Sequence, residues 1–327
     1  IVNISSGTPA MKAGLLNLVT LLQSNCKAIQ VSTPTKRQNV SDQQNYQLYD
    51  LWDLNEDNLP NMPNRCEEVQ LEELLNLQLE NLLLDDLDSY DYPAALATAN
   101  ELPESKKNSV MPLVQMGVSR YQLDLKQVQK LIIQTGFDCF EIKQVSNRKL
   151  FEYALGVQIR LLREEYSDFI RSISPAIYVL MLRILEKYGI SIDDFAVKDH
   201  KGVYKYSPEK AEKNSLIKEA LKDKHVNKDA FVSSYVLNIL IQGISNNSKE
   251  KEKVKAMRLV EENIRNMVAH EIIRVNAADI EEKTKMTPAK IMSLIKECFA
   301  FANINVPAEA WKSYDRLNDE IRNRLNF

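Results

Sequence analysis

Apolar residues along the first forty-five positions fall into two short runs with a helical stretch between them. Residues 1–4 (Ile-Val-Asn-Ile) read as a strand, and Ser5-Ser6-Gly7-Thr8-Pro9 as a turn. Leu15, Leu16, Leu18, Val19, Leu21 and Leu22 recur at helical spacing, and Ala28-Ile29-Gln30-Val31 reads as a second strand. A strand, a crossover helix and another strand in so short a span predict a parallel α/β sheet. One such unit cannot form a domain alone, so further strands are expected before Ile1, which is not an initiator Met.

Residues 41–64 are polar, rich in Asn, Gln and Asp with Pro60 and Pro63, and read as a linker. The Leu- and Glu-dense stretch 69–87 predicts an amphipathic helix used for core or dimer packing. A helix restarts at Tyr92-Pro93, and helical pieces continue to about Lys149. Beyond that the pattern is helical to the end. Helices are expected over 151–172, 175–188 (stopped by Gly189), 230–244, 254–275 and 288–302, with a turn at His200–Val203 and a solvated charged run at 249–253. The expected architecture is therefore α/β followed by all-α: a partial parallel sheet over 1–45, a linker and helical connector over 46–149, and a bundle of four or five helices over 150–327.

Composition adds little that changes this picture. An apolar share of 44% with 27% charged residues belongs to a globular protein, and only 8 glycines favour helices. A net charge of −3 gives no global attraction to nucleic acid, so any RNA contact needs a local basic patch. Cys26, Cys66, Cys139 and Cys298 form no CxxC pair, which speaks against a zinc site or a disulfide frame and for a reducing, cytoplasmic setting. No apolar run approaches the ~20 residues that cross a bilayer, so no membrane partner is expected. Asp85-Asp86 and Asp193-Asp194 are adjacent acids at expected helix ends, and nothing else points to metal.

Chemistry concentrates in Arg265-Asn266-Met267-Val268-Ala269-His270. In a helix Asn266 and His270 face the same way, and the Arg265 side chain can sweep onto that face. An imidazole can move a proton near neutral pH, a guanidinium can hold a phosphoryl oxygen, and the ribose 2′-OH of RNA is a built-in nucleophile. From spacing alone, the same residues also fit a salt-bridged surface helix with an incidental histidine. Thr8-Pro9 is a good helix start, and Gly7 permits close backbone approach. Taken alone, Ser5–Pro9 is a capped turn as readily as a ligand site.

The stretch Asn-Ile-Arg-Asn-Met-Val-Ala-His-Glu, residues 263–271, resembles the Arg-x4-6-His motif of HEPN ribonucleases, in its Arg-Asn-x-x-Ala-His form. Residues 2–11 resemble the ligand-binding strand-turn-helix of CARF domains, which sense cyclic oligoadenylates. In this order the two resemble the accessory ribonucleases of type III CRISPR systems. The resemblance implies a homodimer in which Arg265, Asn266 and His270 of two HEPN domains form one metal-free cleft for single-stranded RNA, not DNA. It implies an allosteric activator, cyclic hexa-adenylate ahead of cyclic tetra-adenylate, held by Ser5, Ser6, Gly7, Thr8, Pro9 and Met11. No cofactor is implied, and Thr8 becomes a candidate for cleaving the activator. The family's first CARF motif is absent from this chain. Two other readings stand beside this one: a nuclease-dead CARF–HEPN nucleotide-sensing module, and a nucleotide-metabolising α/β enzyme built on the first turn.

Overall fold

The computed structural model describes residues 1–21, 27–32, 49, 60–62, 64–69, 72–222, 224, 226–268 and 275–326. At the N-terminus β1 (Val2–Asn3) pairs in parallel with β2 (Ala28–Val31), in the register Val2↔Ala28 and Asn3↔Ile29. Helix α1 (Pro9–Leu21) lies between them in the chain, as the alternation of apolar runs predicts. A third strand, β3 (Cys66–Glu68), runs antiparallel to β2, with Ile29↔Glu68 and Val31↔Cys66. The sheet is therefore mixed, with order β1-β2-β3, and reaches past residue 45. Most of the stretch read as a linker lies outside the described residues.

The connector consists of α2 (Glu72–Asp88), α3 (Tyr92–Glu101), α4 (Glu104–Tyr121) and α5 (Leu125–Thr135). In α2 the leucines divide: Leu83 and Leu87 are fully buried, while Leu77 and Leu82 are about half exposed. Helices α3 and α4 approach closely at Gly117, where an added Cβ would stand 2.2 Å from a ring carbon of Tyr92. That ring is fixed from its other end, since the Tyr92 hydroxyl donates to Asn318 Oδ1 at 2.7 Å.

Next come α6 (Val145–Leu162) and α7 (Tyr166–Lys187). The expected break at 172–175 is displaced. The chain turns instead at residues 163–165, where Glu164 adopts φ +57°, and Pro175 sits inside α7. A proline there removes one N–H from the ladder. The neighbouring Ser172 carbonyl accepts a hydrogen bond from the Tyr153 hydroxyl at 3.0 Å.

The second half is not purely helical. Strands β4 (Ala196–Lys198) and β5 (Tyr204–Tyr206) form an antiparallel hairpin whose tip is the expected 200–203 turn. Asp199 holds that tip, its Oδ1 accepting from the amides of Lys201 and Val203 at 2.9 Å each. Short helices α8 (Pro208–Ala211) and α9 (Ser215–Ala220) precede α10 (Ser234–Ile244) and α11 (Ser248–Val268). Helix α11 starts earlier than apolar periodicity indicates, because the Asn247 side chain caps it by accepting from the amides of Lys249 and Glu250. The charged run forms its first two turns.

Helices α12 (Ala277–Thr284), α13 (Pro288–Phe301) and α14 (Ser313–Leu325) close the chain. α14 does not stay with the bundle but packs on α4 and α2 of the connector. One continuous apolar cluster consequently runs from Leu83 to Leu325, and connector and bundle share a core.

Candidate functional site

The first candidate site is the turn between β1 and α1. Asn3 organises it: its Oδ1 accepts from the Ser5 amide at 2.8 Å and from the Ser5 hydroxyl at 2.5 Å. The same Ser5 hydroxyl accepts from the Val31 amide at 2.7 Å, tying the turn to the end of β2. Gly7 follows with φ +108°, a conformation other residues rarely hold. Thr8 then caps α1, its hydroxyl accepting from the Met11 amide at 3.3 Å, and Pro9 takes the first helical position.

Ser6, Gly7, Thr8, Pro9 and Met11 are exposed, whereas Ser5 is partly buried. Of the six residues singled out by sequence, Ser5 thus has a structural task, and the others face solvent at the N-terminal end of a helix. That end carries partial positive charge and favours anions. Sequence reasoning missed Lys12. Its ammonium donates to the Ser5 carbonyl at 2.7 Å, which places a cation against the turn. The signal was present as a lysine one turn beyond the cap.

The second candidate site lies at the end of α11. Val254, Met257, Val260, Glu261 and Ile264 are buried and define its inner face, while Lys255, Leu259 and Glu262 are exposed. At 100° per residue, position 265 falls on the bearing of Lys251 and Arg258, at the border of the inner face. Position 266 falls on the solvent side, between the bearings of Lys255 and Leu259. Arg265 and Asn266 are placed by the backbone of α11 alone, and His270 lies outside the described residues.

Around this helix end the structure shows three groups that the motif does not announce. Glu261, one turn before Arg265, is buried, and its carboxylate accepts a short hydrogen bond from the Ser234 hydroxyl at the start of α10. Arg258, a further turn back, sits near the half-exposed Tyr235 ring. None of these three stood out in sequence, because each depends on α10 meeting α11.

The paired acids have other tasks. Asp194 completes a capping box with Ser191, and Asp86 accepts from the Thr98 hydroxyl at 2.8 Å. Among the described residues, no group of three His, Cys, Asp or Glu side chains could hold a metal ion. Two clefts, of about 510 and 600 Å³, open beside Asp193 and Lys210 and beside Leu75 and Leu82. No helix among the described residues is long and apolar enough to cross a membrane.

The family model described as the Cas_Csm6 HEPN domain matches residues 139–322, more than half of the chain. The chain belongs to the Csm6 family. The Cas_Csm6 CARF domain model matches residues 1–66, so the CARF match takes in β1, α1 and β2 and ends at the first residue of β3. CARF and HEPN parts thus follow one another as the two motifs imply, in the order of the CRISPR accessory ribonucleases. The Csm6 HEPN match begins at residue 139, before the helical bundle proper.

The CRISPR system endoribonuclease Csm6 of Mycobacterium tuberculosis is 28% identical over 342 residues, an alignment covering 100% of this chain and 75% of the relative. Enterococcus italicus Csm6 bound to cyclic hexa-2′-fluoro-hexa-dAMP has the same fold, with a TM-score of 0.66 at 16% identity, over 98% of this chain and 74% of that one.

Proposed function

We propose that this Csm6-family chain is a metal-independent endoribonuclease that cleaves single-stranded RNA when a cyclic oligoadenylate binds its CARF part, as a cytoplasmic homodimer in type III CRISPR antiviral defence. The observation that carries the reading is the sequence Arg265-Asn266-x-x-Ala269-His270, whose first residues lie on α11, inside the span matched by the Csm6 HEPN domain. The name of the Mycobacterium tuberculosis relative, an endoribonuclease, supports the reaction class. The cyclic hexanucleotide analogue on the Enterococcus italicus relative supports a six-membered ring ahead of cyclic tetra-adenylate.

In the proposed reaction, two copies of α11 meet across a two-fold axis. One imidazole accepts the proton of the ribose 2′-OH, the oxygen attacks phosphorus, and the bond to the 5′-oxygen breaks as that oxygen takes a proton from the second imidazole. Arg265 donates to the phosphoryl oxygens as charge builds on them, and Asn266 holds imidazole or phosphate in place. The products are a 2′,3′-cyclic phosphate and a 5′-OH. Because the nucleophile belongs to the substrate, no metal-bound water is needed.

At the other end, Ser6, Gly7, Thr8, Pro9 and Met11 form the ligand face, with Ser5 holding the turn. Binding there must favour one of two global states to change activity at the other site. Thr8 is the residue to test for cleavage of the activator itself.

The test is an RNA gel with cyclic hexa-adenylate, cyclic tetra-adenylate or neither. Cleavage should require the ring, persist in EDTA and vanish in His270→Ala. Loss in EDTA would refute the metal-free mechanism. Intact RNA despite measured ring binding would make the chain a nuclease-dead sensing module.

A further inference from the structure

Arg258 is an anomaly. Its side chain is only 17% exposed, and its Nε and Nη1 are buried without a hydrogen-bond partner among the described residues. Its one ionic neighbour among the described residues, Glu262, is 3.6 Å from Nη2, too far for a hydrogen bond. Withdrawing guanidinium donors from water without giving them acceptors is unfavourable, so such a group calls for an acceptor that comes from elsewhere. The Arg258 guanidinium also stands 6.0 Å from the centroid of Tyr235, which is 50% exposed.

A second pair of the same kind lies four residues before Tyr235. Phe231, 65% exposed, has the Lys205 ammonium 5.9 Å from its ring centroid. Two exposed rings, each with a cation beside it, are what a single-stranded nucleic acid uses: bases stack on the rings while the cations meet phosphates. A lone surface lysine or arginine would carry no such meaning.

The placement relative to the cleavage motif gives these pairs a role. Arg258 and Arg265 are seven residues apart on one helix, so position 258 lies about 10 Å back along α11 on nearly the same bearing. A strand whose scissile phosphate meets Arg265 would reach Arg258 within one or two nucleotides.

Resting on the ribonuclease reading, we propose that Arg258 with Tyr235, extended by Lys205 with Phe231, is a binding platform for the RNA nucleotides flanking the cleaved bond. Arg258 swings its guanidinium out from α11 to a phosphate, giving its buried donors an acceptor, and Tyr235 and Phe231 stack bases without selecting among them. RNA is favoured over a protein partner because the rings are isolated and paired with cations, rather than gathered into one apolar patch.

The experiment uses the full chain with saturating cyclic hexa-adenylate and a fluorescent single-stranded RNA. Arg258→Ala and Tyr235→Ala should each raise KM about tenfold, with kcat falling less than KM rises. Tyr235→Phe should keep most of the affinity, because it keeps the stacking face. RNA affinity, read by anisotropy in a His270→Ala background, should weaken in parallel. KM and affinity within twofold of the parent in both alanine variants would overturn the platform. So would a loss of affinity that size-exclusion chromatography traces to altered subunit assembly. A wild-type chain that binds RNA without cutting it would defeat the ribonuclease reading and leave the affinity comparison to decide the platform.

Discussion

Arg120 on α4 and Glu152 on α6 form an ion pair at 2.9 Å with neither side chain exposed, joining the connector to the first long helix of the HEPN part. The same guanidinium donates to the Ser313 hydroxyl at 2.8 Å and lies 4.1 Å from the Tyr314 ring centroid, so the start of α14 is held as well. Burial alone would make the guanidinium easier to neutralise. The Glu152 charge and hydrogen bonds reverse that and keep its pKa above the ordinary value. Removing one partner strands a buried charge. Arg120→Met should cost about 3–5 kcal/mol in urea unfolding, and adding Glu152→Leu should recover much of it. A loss below about 1 kcal/mol in the single variant would show that water reaches the pair.

A tighter contact in the same region is steric. At Gly117 a methyl group would lie 2.2 to 2.4 Å from two ring carbons of Tyr92, and the ring cannot retreat while Asn318 holds its hydroxyl. Gly117→Ala should therefore destabilise the protein by about 1–3 kcal/mol, although alanine is the better helix former. Adding Tyr92→Leu should restore part of the stability lost to the methyl group. If heating curves of Gly117→Ala and wild type coincide, α3 and α4 do not meet as closely as described.

The turn between β1 and α1 separates two effects that one substitution usually mixes. Thr8→Ala removes a cap worth about 1 kcal/mol together with an exposed hydroxyl. Gly7→Ala imposes strain at φ +108° and narrows the approach to the backbone. Both should raise the concentration of cyclic oligoadenylate needed for half-maximal RNA cleavage, with Gly7→Ala the worse, while the rate at saturation stays near wild type. A lowered rate at saturation with unchanged half-saturation would place the turn outside ligand binding.

Much of this arrangement is legible in the sequence, and the misses have physical causes. Leu spacing in α1 and α2, the Thr8-Pro9 cap and the Gly189 stop are local signals, and local structure obeys them. The strand β3 is Cys-Glu-Glu with every residue exposed, so it lacks the alternation that marks a half-buried strand; only pairing with β2 makes it one. Pro175 reads as a boundary, yet apolar residues on both sides of it are buried and packing carries the helix through. Glu261, Arg258 and Tyr235 gain meaning only from the meeting of α10 with α11, which no single window of sequence contains.

Thiol chemistry gives a check on burial that is independent of activity. Cys66 is exposed on β3, whereas Cys139 and Cys298 are buried. Burial pushes the Cys139 thiol up to about 11 and the Cys298 thiol up to about 12. The thiolate is the reactive form, so at pH 8 only about one in a thousand Cys139 groups would be poised to react, and fewer at Cys298. Iodoacetamide followed by peptide mass spectrometry should label Cys66 within minutes and Cys139 and Cys298 only after unfolding. Raising the pH toward 10 should not bring Cys139 and Cys298 within reach, because access limits them as well. Early labelling at Cys298 would mean that α13 opens in the native state.

Glu261 gives the sharpest test of how α11 is held. It stands four residues before Arg265, the spacing at which a helical carboxylate and guanidinium come together. It is buried, and the Ser234 hydroxyl donates to it from the start of α10. A buried carboxylate in that position can fix a guanidinium for phosphate binding without touching the substrate, which makes it a positioning residue. Small misplacements of such a group are expensive, so Glu261→Gln should lower kcat for RNA cleavage about ten- to hundredfold. KM and the half-saturating concentration of cyclic oligoadenylate should change little, since neither the RNA platform nor the CARF turn is altered. Ser234→Ala, which leaves the carboxylate but frees it to move, should give a smaller fall in the same direction. If instead both variants lose melting temperature in proportion to activity, with kcat per folded molecule unchanged, Glu261 serves the packing of α10 on α11 and not the chemistry.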